Sequence, residues 1–400
     1  MDCRPLIDQF IRRYGESPET IRVVYAPGRV NLIGEHTDYN GGRVLPAALR
    51  LGTWIVCRPR PDRRILLQAD DLPDQVDVSL DELDQYKSLP WGNYQLGALW
   101  ALQTEGYEPT GGEYLYHDTL PHGAGLSSSA AIEVGTVWAA AIMAGHLLTR
   151  EKAGRLGHLA ENRFIGVQCG IMDQFASALG KKGHALHLDC ATQDHRYVPL
   201  HLQDIRLVMV NTNRKRSLAT APYNERRSQC EEALATINRW GHNYAHLCTI
   251  PETDWGQLEP LLRENDQTTG QVLWKRTKHV VEENQRVLSM ADALEHSDWN
   301  RIGQLMRQSH ESLRDLYEVT GPELDALAEA AWQTEGVVGA RMTGAGFGGC
   351  TVNLVNENQL EHFMEAVGRQ YRQATGICPT FYVSDSADGV GEVSQPCLSW

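Results

Sequence analysis

The stretch AAIEVGTVWAAAIMAGHLL, residues 130–148, is the most apolar window of the chain and restricts its fold more than any other feature. Its length would suffice to cross a bilayer, but Glu133 and His146 interrupt it, so it reads as a helix buried in a protein core. A helix that is apolar around most of its circumference must be covered on several sides. With 400 residues the chain exceeds one typical core, and two domains are expected.

Composition narrows the function classes. The chain is 42% hydrophobic and 22% charged, as soluble globular proteins are, and its net charge is −14. Such a charge repels polyanions, which argues against nucleic acid and acidic membranes as partners. A small anion stays admissible where local groups or a metal neutralise it. The nine cysteines, at 3, 57, 169, 190, 230, 248, 350, 378 and 397, form no CxxC pairs. That scatter predicts reduced thiols in a cytoplasmic compartment, without a disulfide framework or zinc site. The opening MDCRPLIDQFIRRYG shows no secretory leader pattern.

Periodicity and turn residues outline the elements. Residues 3–15 predict an amphipathic helix, and IRVVYAPG (21–28) a strand ending in a Pro-Gly turn. The stretch 43–60 suggests a strand pair, 63–71 a further strand and 91–106 a helix. A strand near 113–117 leads through LPHGAGLSSS into the apolar helix, and Thr149 is placed to cap the next one. A short helix within MDQFASALG and the strand HALHLDC follow. The pattern resets around 195–205: IRLVMVNTN reads as a strand, YNERRSQCEEALATINRW as a helix, and 256–333 as mostly helical. Then come RMTGAGFGGCTVNLV, a glycine loop entering a strand, a helix over 357–375 and the strand TFYVSD. The reading is α+β in two domains, 1–200 and 201–400.

Three clusters have the residue types that phosphate and sugar chemistry needs. In GAGLSSSAA (123–131), small residues and hydroxyls precede the apolar helix, so bare N–H groups and the positive helix end could cradle a phosphate. The loop lacks the lysine of the common P-loop, and a plain serine N-cap explains it equally well. In TGAGFGGC (343–350), four glycines within six residues exceed what one turn needs and hint at close backbone approach. In GRVNLIGEHTDYNGG (28–42), an arginine suits a transferring phosphate and the carboxylates suit neighbouring sugar hydroxyls. A solvated loop of ion pairs is the alternative there, and His36 reads more readily as structural than as catalytic.

Taken together, APGRVNLIGEHTDYNGGRVLPAAL, LPHGAGLSSSAAIEV and RMTGAGFGGCTVNLV stand in the order and spacing of the GHMP small-molecule kinases. The first closely resembles the galactokinase branch. AENRFIGVQCGIMDQFAS (160–177), APYNERRSQCEEA (221–233), HVVEENQRV (279–287) and SHESLRDLYEVTGPELDAL (309–327) extend the resemblance over nearly the whole chain.

The resemblance implies the two-domain GHMP fold, with nucleotide and sugar bound between the domains. It implies ATP-dependent phosphorylation of the anomeric hydroxyl of galactose, the first committed step of galactose catabolism. Asp173 of GIMDQ would be the catalytic carboxylate, as base or as orienting group, and Arg29 would stabilise the transferred phosphate. Sugar contacts map onto Glu35, His36, Thr37 and Asp38, with Tyr223 reaching in from the second domain. The loop Gly123, Ala124, Gly125, Leu126, Ser127, Ser128 and Ser129 maps onto the nucleotide phosphates. Ser129 and Glu161 fall at the positions of Mg2+ ligands. Galactose and MgATP are the partners implied, with no obligate protein partner. His122 before the loop and Ala345 within the second glycine cluster depart from the common pattern without touching the proposed catalytic pair. A sibling kinase acting on N-acetylgalactosamine or another sugar is the chief alternative. A non-catalytic galactose sensor is a lesser one, because the serine loop, Arg29 and Asp173 are all intact.

Overall fold

The computed structural model describes residues 2–121, 123–214, 220–264 and 269–393. Two main sheets organise it. The first has six strands in the order Gly391–Glu392, Arg22–Asn31, Pro46–Arg60, Gly111–Asp118, Arg64–Ala69 and Gln75–Ser79. Its pairings are antiparallel apart from Arg64–Ala69 beside Gly111–Asp118. The apolar helix, Ser128–Met143, packs on the strands Arg22–Asn31 and Pro46–Arg60 and is flanked by the helices Asn93–Thr104 and Arg150–Leu159. It is thus buried, as its composition demands, with sheet and helices as the cover. Thr149 caps Arg150–Leu159 by accepting from Lys152 N at 3.2 Å.

Two local expectations change. The strand predicted to end at Pro27-Gly28 continues to Asn31, with a bulge between Pro27 and Arg29. A bulge tolerates the missing proline donor and re-aims the residues that follow it. The pair predicted over 43–60 divides between two sheets. Arg43–Val44 joins His184–Asp189 and His195–Pro199 in a small three-stranded sheet, whereas Pro46–Arg60 runs through the large one.

The second main sheet, in the order Val337–Thr343, Cys350–Asn356, Ile205–Asn211 and Thr380–Ser384, is antiparallel throughout. Alternation along Ile205–Asn211 sends Val208 and Val210 toward Phe363 and Tyr371, under the helices Pro322–Trp332 and Leu360–Thr375. Leu207 and Met209 face the other way, into a core that continues through Met290, Ile302 and Met306 to the first sheet. A helical layer containing Thr220–Arg239, Glu252–Glu264 and Thr269–Glu295 has its own core around Ile237, Leu262 and Val280. The first sheets end at Pro199 and the second begins at Ile205, but the last described strand returns to pair with Arg22–Asn31. Among the described residues no helix is long and apolar enough to cross a membrane, and no disulfide joins the eight described cysteines.

Candidate active site

The bulge after Pro27 turns Arg29 inward, and the guanidinium is almost wholly buried. Its Nε and Nη2 meet the two oxygens of Asp173 at 2.8 and 2.9 Å, and Nη1 donates to the Gly125 carbonyl at 2.8 Å. The Arg29 main-chain N–H reaches the Leu126 carbonyl at 3.1 Å. One arginine therefore ties the strand Arg22–Asn31, the serine loop and the start of the helix Met172–Leu179. Paired N–H···O bonds to a carboxylate are both strong and directional. Asp173 stands in the first turn of its helix with 29% of its side chain exposed, so the pair opens to solvent on the carboxylate side.

The three serines diverge, because successive residues at a helix start point about 100° apart. Ser127 donates to Asp173 Oδ2 at 2.5 Å and Ser128 to Asp118 Oδ2 at 2.6 Å, while Ser129 lies beside the Glu161 carboxyl. Ser127 lies in the left-handed region (φ 61°, ψ 50°) and its hydroxyl makes no cap bond, so the plain N-cap reading does not describe it. Gly123 is exposed, Gly125 is half-buried, and Ala124 and Leu126 pack into the core beneath them. His122 lies outside the described residues.

Glu35 is buried, accepts from Asn31 Nδ2 at 3.0 Å and Gly344 N at 2.7 Å, and forms an ion pair with Arg341 Nη2 at 3.3 Å. The Thr37 hydroxyl is committed to the Gly34 and Arg43 carbonyls at 2.8 and 2.7 Å, so this side chain braces the loop. His36, with φ 63°, bonds the Tyr39 hydroxyl through Nδ1 at 2.8 Å and leaves Nε2 buried without a partner. Burial, reinforced by nearby His279, lowers the His36 imidazole to about 3, so it is neutral. Tyr223 on Thr220–Arg239 sets its ring 5.7 Å from His36 and 5.6 Å from Tyr39. Asp38 lies against the backbone of Gly170, where a Cβ would stand 1.9 Å from its Oδ2. Burial and the charge of Asp173 push the Asp38 carboxyl up to about 7.

Behind Asp173 is a second acidic group. Glu161 sits in the π-helical turn Ala160–Ile165 and accepts from Gln174 Nε2 at 2.5 Å; burial and then Asp173 raise its carboxyl to about 7. Glu133 of the apolar helix is fully buried and accepts from the same nitrogen at 3.2 Å. Among the described residues no three His, Cys, Asp or Glu side chains form a metal cage. One carboxylate and one hydroxyl, Glu161 and Ser129, nevertheless suit Mg2+, which keeps waters and takes phosphate oxygens. Buried acids crowded together fit a cation.

Residue patterns had not singled out Asn31, Asp118, Gln174 or Arg341, whose partners lie far away in sequence. Only Glu133 carried a signal, as an acid interrupting an apolar helix.

Likeness to known proteins follows these same regions. The galactokinase galactose-binding signature matches residues 8–59, which hold Arg29 through Asp38. The GHMP kinase N-terminal domain matches 93–181, with the serine loop, Glu161 and Asp173, and the GHMP kinase C-terminal model matches 290–373. Galactokinase of Clostridium beijerinckii is 42% identical over 393 residues, covering 97% of this chain and 98% of its own length. That of Bacillus subtilis is 42% identical over 390 residues, covering 96% and 97%. The crystal structure of Lactococcus lactis galactokinase complexed with galactose superposes with a TM-score of 0.93 at 36% identity, covering 98% of this chain and 100% of that one. A mevalonate kinase at 21% identity and TM-score 0.63 shares the fold. Likeness over the full length and the sugar-binding signature both lead to one conclusion: the chain is a member of the galactokinase family, with the two-domain α+β fold of the GHMP kinases.

Proposed function

We propose that this chain transfers the γ-phosphoryl group of ATP to the anomeric hydroxyl of galactose, giving α-D-galactose 1-phosphate and ADP. The observation that carries the reading is the junction of Arg29, Asp173 and Ser127 at the open side of a buried pair. A carboxylate offers about four lone-pair sites. In Asp173, Oδ1 takes one bond from Arg29, while Oδ2 takes one from Arg29 and one from Ser127. Room for a sugar hydroxyl is thus left at Oδ1. The sugar O–H proton passes to Asp173 as the oxygen bonds to phosphorus and the bond to ADP breaks. Donors of Arg29 not bound to Asp173 or Gly125 meet the charge on the phosphoryl oxygens. Fixed positioning and charge stabilisation of this kind account for most catalysis of phosphoryl transfer.

The sugar would lie among Glu35, His36, Asp38 and Tyr223, and the nucleotide phosphates against Gly123–Ser129. Ser129 and Glu161 would hold Mg2+, which when bound neutralises phosphate charge. We read the chain as two domains meeting near residue 200, working in the cytoplasm. ADP release with MgATP against galactose, N-acetylgalactosamine, glucose and mannose tests the reading, with Asp173→Ala as control. Turnover with galactose, lost by about 10³-fold or more in the control, is expected. Near-full activity in Asp173→Ala sinks the catalytic assignment. Preference for the N-acetyl sugar replaces the substrate, and galactose binding without turnover revives the sensor.

A further inference from the structure

We propose that Gln174 is a positioning residue that holds the Glu161 carboxylate in place for the divalent cation and joins it to Asp173 as one rigid unit. The inference rests on the assignment of Glu161 as a Mg2+ ligand. Gln174 is completely buried, and its Nε2 lies between two buried acids, 2.5 Å from Glu161 Oε2 and 3.2 Å from Glu133 Oε2. In this orientation Nε2 donates to both carboxyl groups, while the amide oxygen is buried without a partner.

Glu161 needs such a hold. It sits in a π-helical turn, where the regular α-helical ladder is interrupted. Its other neighbours are Ser129 of the serine loop and the Cys169 thiol, a weak donor at 3.4 Å. Among the described residues, the amide of Gln174 is the strong donor that reaches this carboxyl from the protein interior. Glu133, on the rigid apolar helix, anchors that amide from behind. Because Gln174 follows Asp173 directly, both lie in the first turn of Met172–Leu179. One helix end thus orients the group that faces the sugar hydroxyl and the group that faces the cation.

Outer partners of this kind alter metal affinity by about 10- to 100-fold when removed. The test replaces Gln174 by Met and, separately, by Leu, both of similar bulk without a donor. Mn2+ binding in the presence of ADP, read by electron paramagnetic resonance, is expected to weaken about ten-fold in either variant. Galactose affinity should stay within about two-fold, and the Mg2+ concentration for half-maximal turnover should rise more than the KM for galactose falls or grows. Glu133→Gln, which keeps an acceptor facing the amide, should leave Mn2+ affinity nearly unchanged. Unchanged Mn2+ affinity in whichever donor-less variant still binds galactose overturns the proposal, provided Glu161→Ala weakens Mn2+ binding. If Glu161→Ala has no effect either, the Mg2+ assignment itself falls. Parallel loss of galactose and Mn2+ binding in both variants also overturns the proposal, in favour of a general structural role.

Discussion

The two glycine-rich loops, 123–129 and 343–349, look alike in composition and do opposite things. In the first, Gly123 is exposed with φ 69°, and a Cβ built on it meets nothing within 4 Å. Its neighbours present hydroxyls to Asp173, Asp118 and Glu161, and the loop stays open on its outer side. In the second, protein fills the space. Gly344 N donates to Glu35, Phe347 N donates to the Val319 carbonyl at 2.7 Å, and a Cβ on Gly346 would lie 2.3 Å from that same carbonyl. The loops meet where a Cβ on Gly344 would come 3.0 Å from the Gly125 oxygen. Glycine thus serves an open cradle on one side and a tight clasp on the other. The lesson is that glycine density alone does not mark a ligand loop. Whether the vacated Cβ space is open or occupied decides.

The sharpest way to break that comparison is one substitution made twice. Gly346→Ala pairs a left-handed backbone (φ 79°) with a backbone collision, and is expected to cost on the order of 3 kcal/mol of folding stability. Gly123→Ala carries only the conformational penalty, about 1 kcal/mol. Urea unfolding of both variants, read as midpoint shifts at constant slope, separates them. Equal losses would mean that the two loops differ less than their surroundings indicate.

A smaller effect sharpens the cradle side. Ser127→Ala removes the 2.5 Å bond to Asp173 while leaving the Arg29 pair in place. Turnover should fall about ten-fold, equivalent to about 1.4 kcal/mol, with the galactose dissociation constant and melting temperature nearly unchanged. A fall in sugar affinity without a change in kcat would move Ser127 from the phosphate side to the sugar side.

How much of this was legible in sequence depended on distance along the chain. The apolar helix and its burial were readable from residues 130–148 alone, because burial follows from composition. The bulge at Pro27 was not, since a Pro-Gly pair ends a strand as readily as it bends one; only the partner strand Pro46–Arg60 distinguishes the two. Arg29 and Asp173 are 144 residues apart, and no local pattern couples them; the family resemblance alone suggested a shared site. Gln174 escaped notice for a related reason. Glu133 was visible as an anomaly, but the amide that explains it lies 41 residues further on. Arg341 is fully buried in a strand of the second sheet and braces Glu35 across 306 positions of chain, which periodicity cannot register.

The smallest effect tests the sugar side through pH. Burial and the nearby charge of Asp173, with Glu35 adding and Arg29 opposing, raise the Asp38 carboxyl from its ordinary 3.8 to about 7. Between those values the folded protein keeps a proton that the unfolded chain releases. The resulting stability is present below about pH 4 and is lost as pH rises through about 7. Glu283, lowered to about 2 chiefly by Arg286 against its burial, acts in the opposite sense: its contribution is present above the usual glutamate range and lost on acidification. His36 and His279, held neutral by burial, likewise favour the folded state as pH rises. These groups are common to wild type and Asp38→Asn, so the difference between the two proteins isolates Asp38. At pH 8 the asparagine variant should melt about 2 °C above wild type, and the advantage should shrink steadily as pH falls through 7, vanishing only near pH 4. An advantage that persists unchanged at low pH would show that Asn repacks the contact with Gly170, leaving the carboxyl's charge irrelevant to stability. An advantage confined to high pH would mean that the sugar side of the site carries a destabilising charge of its own, as the cradle side does in its crowded acids.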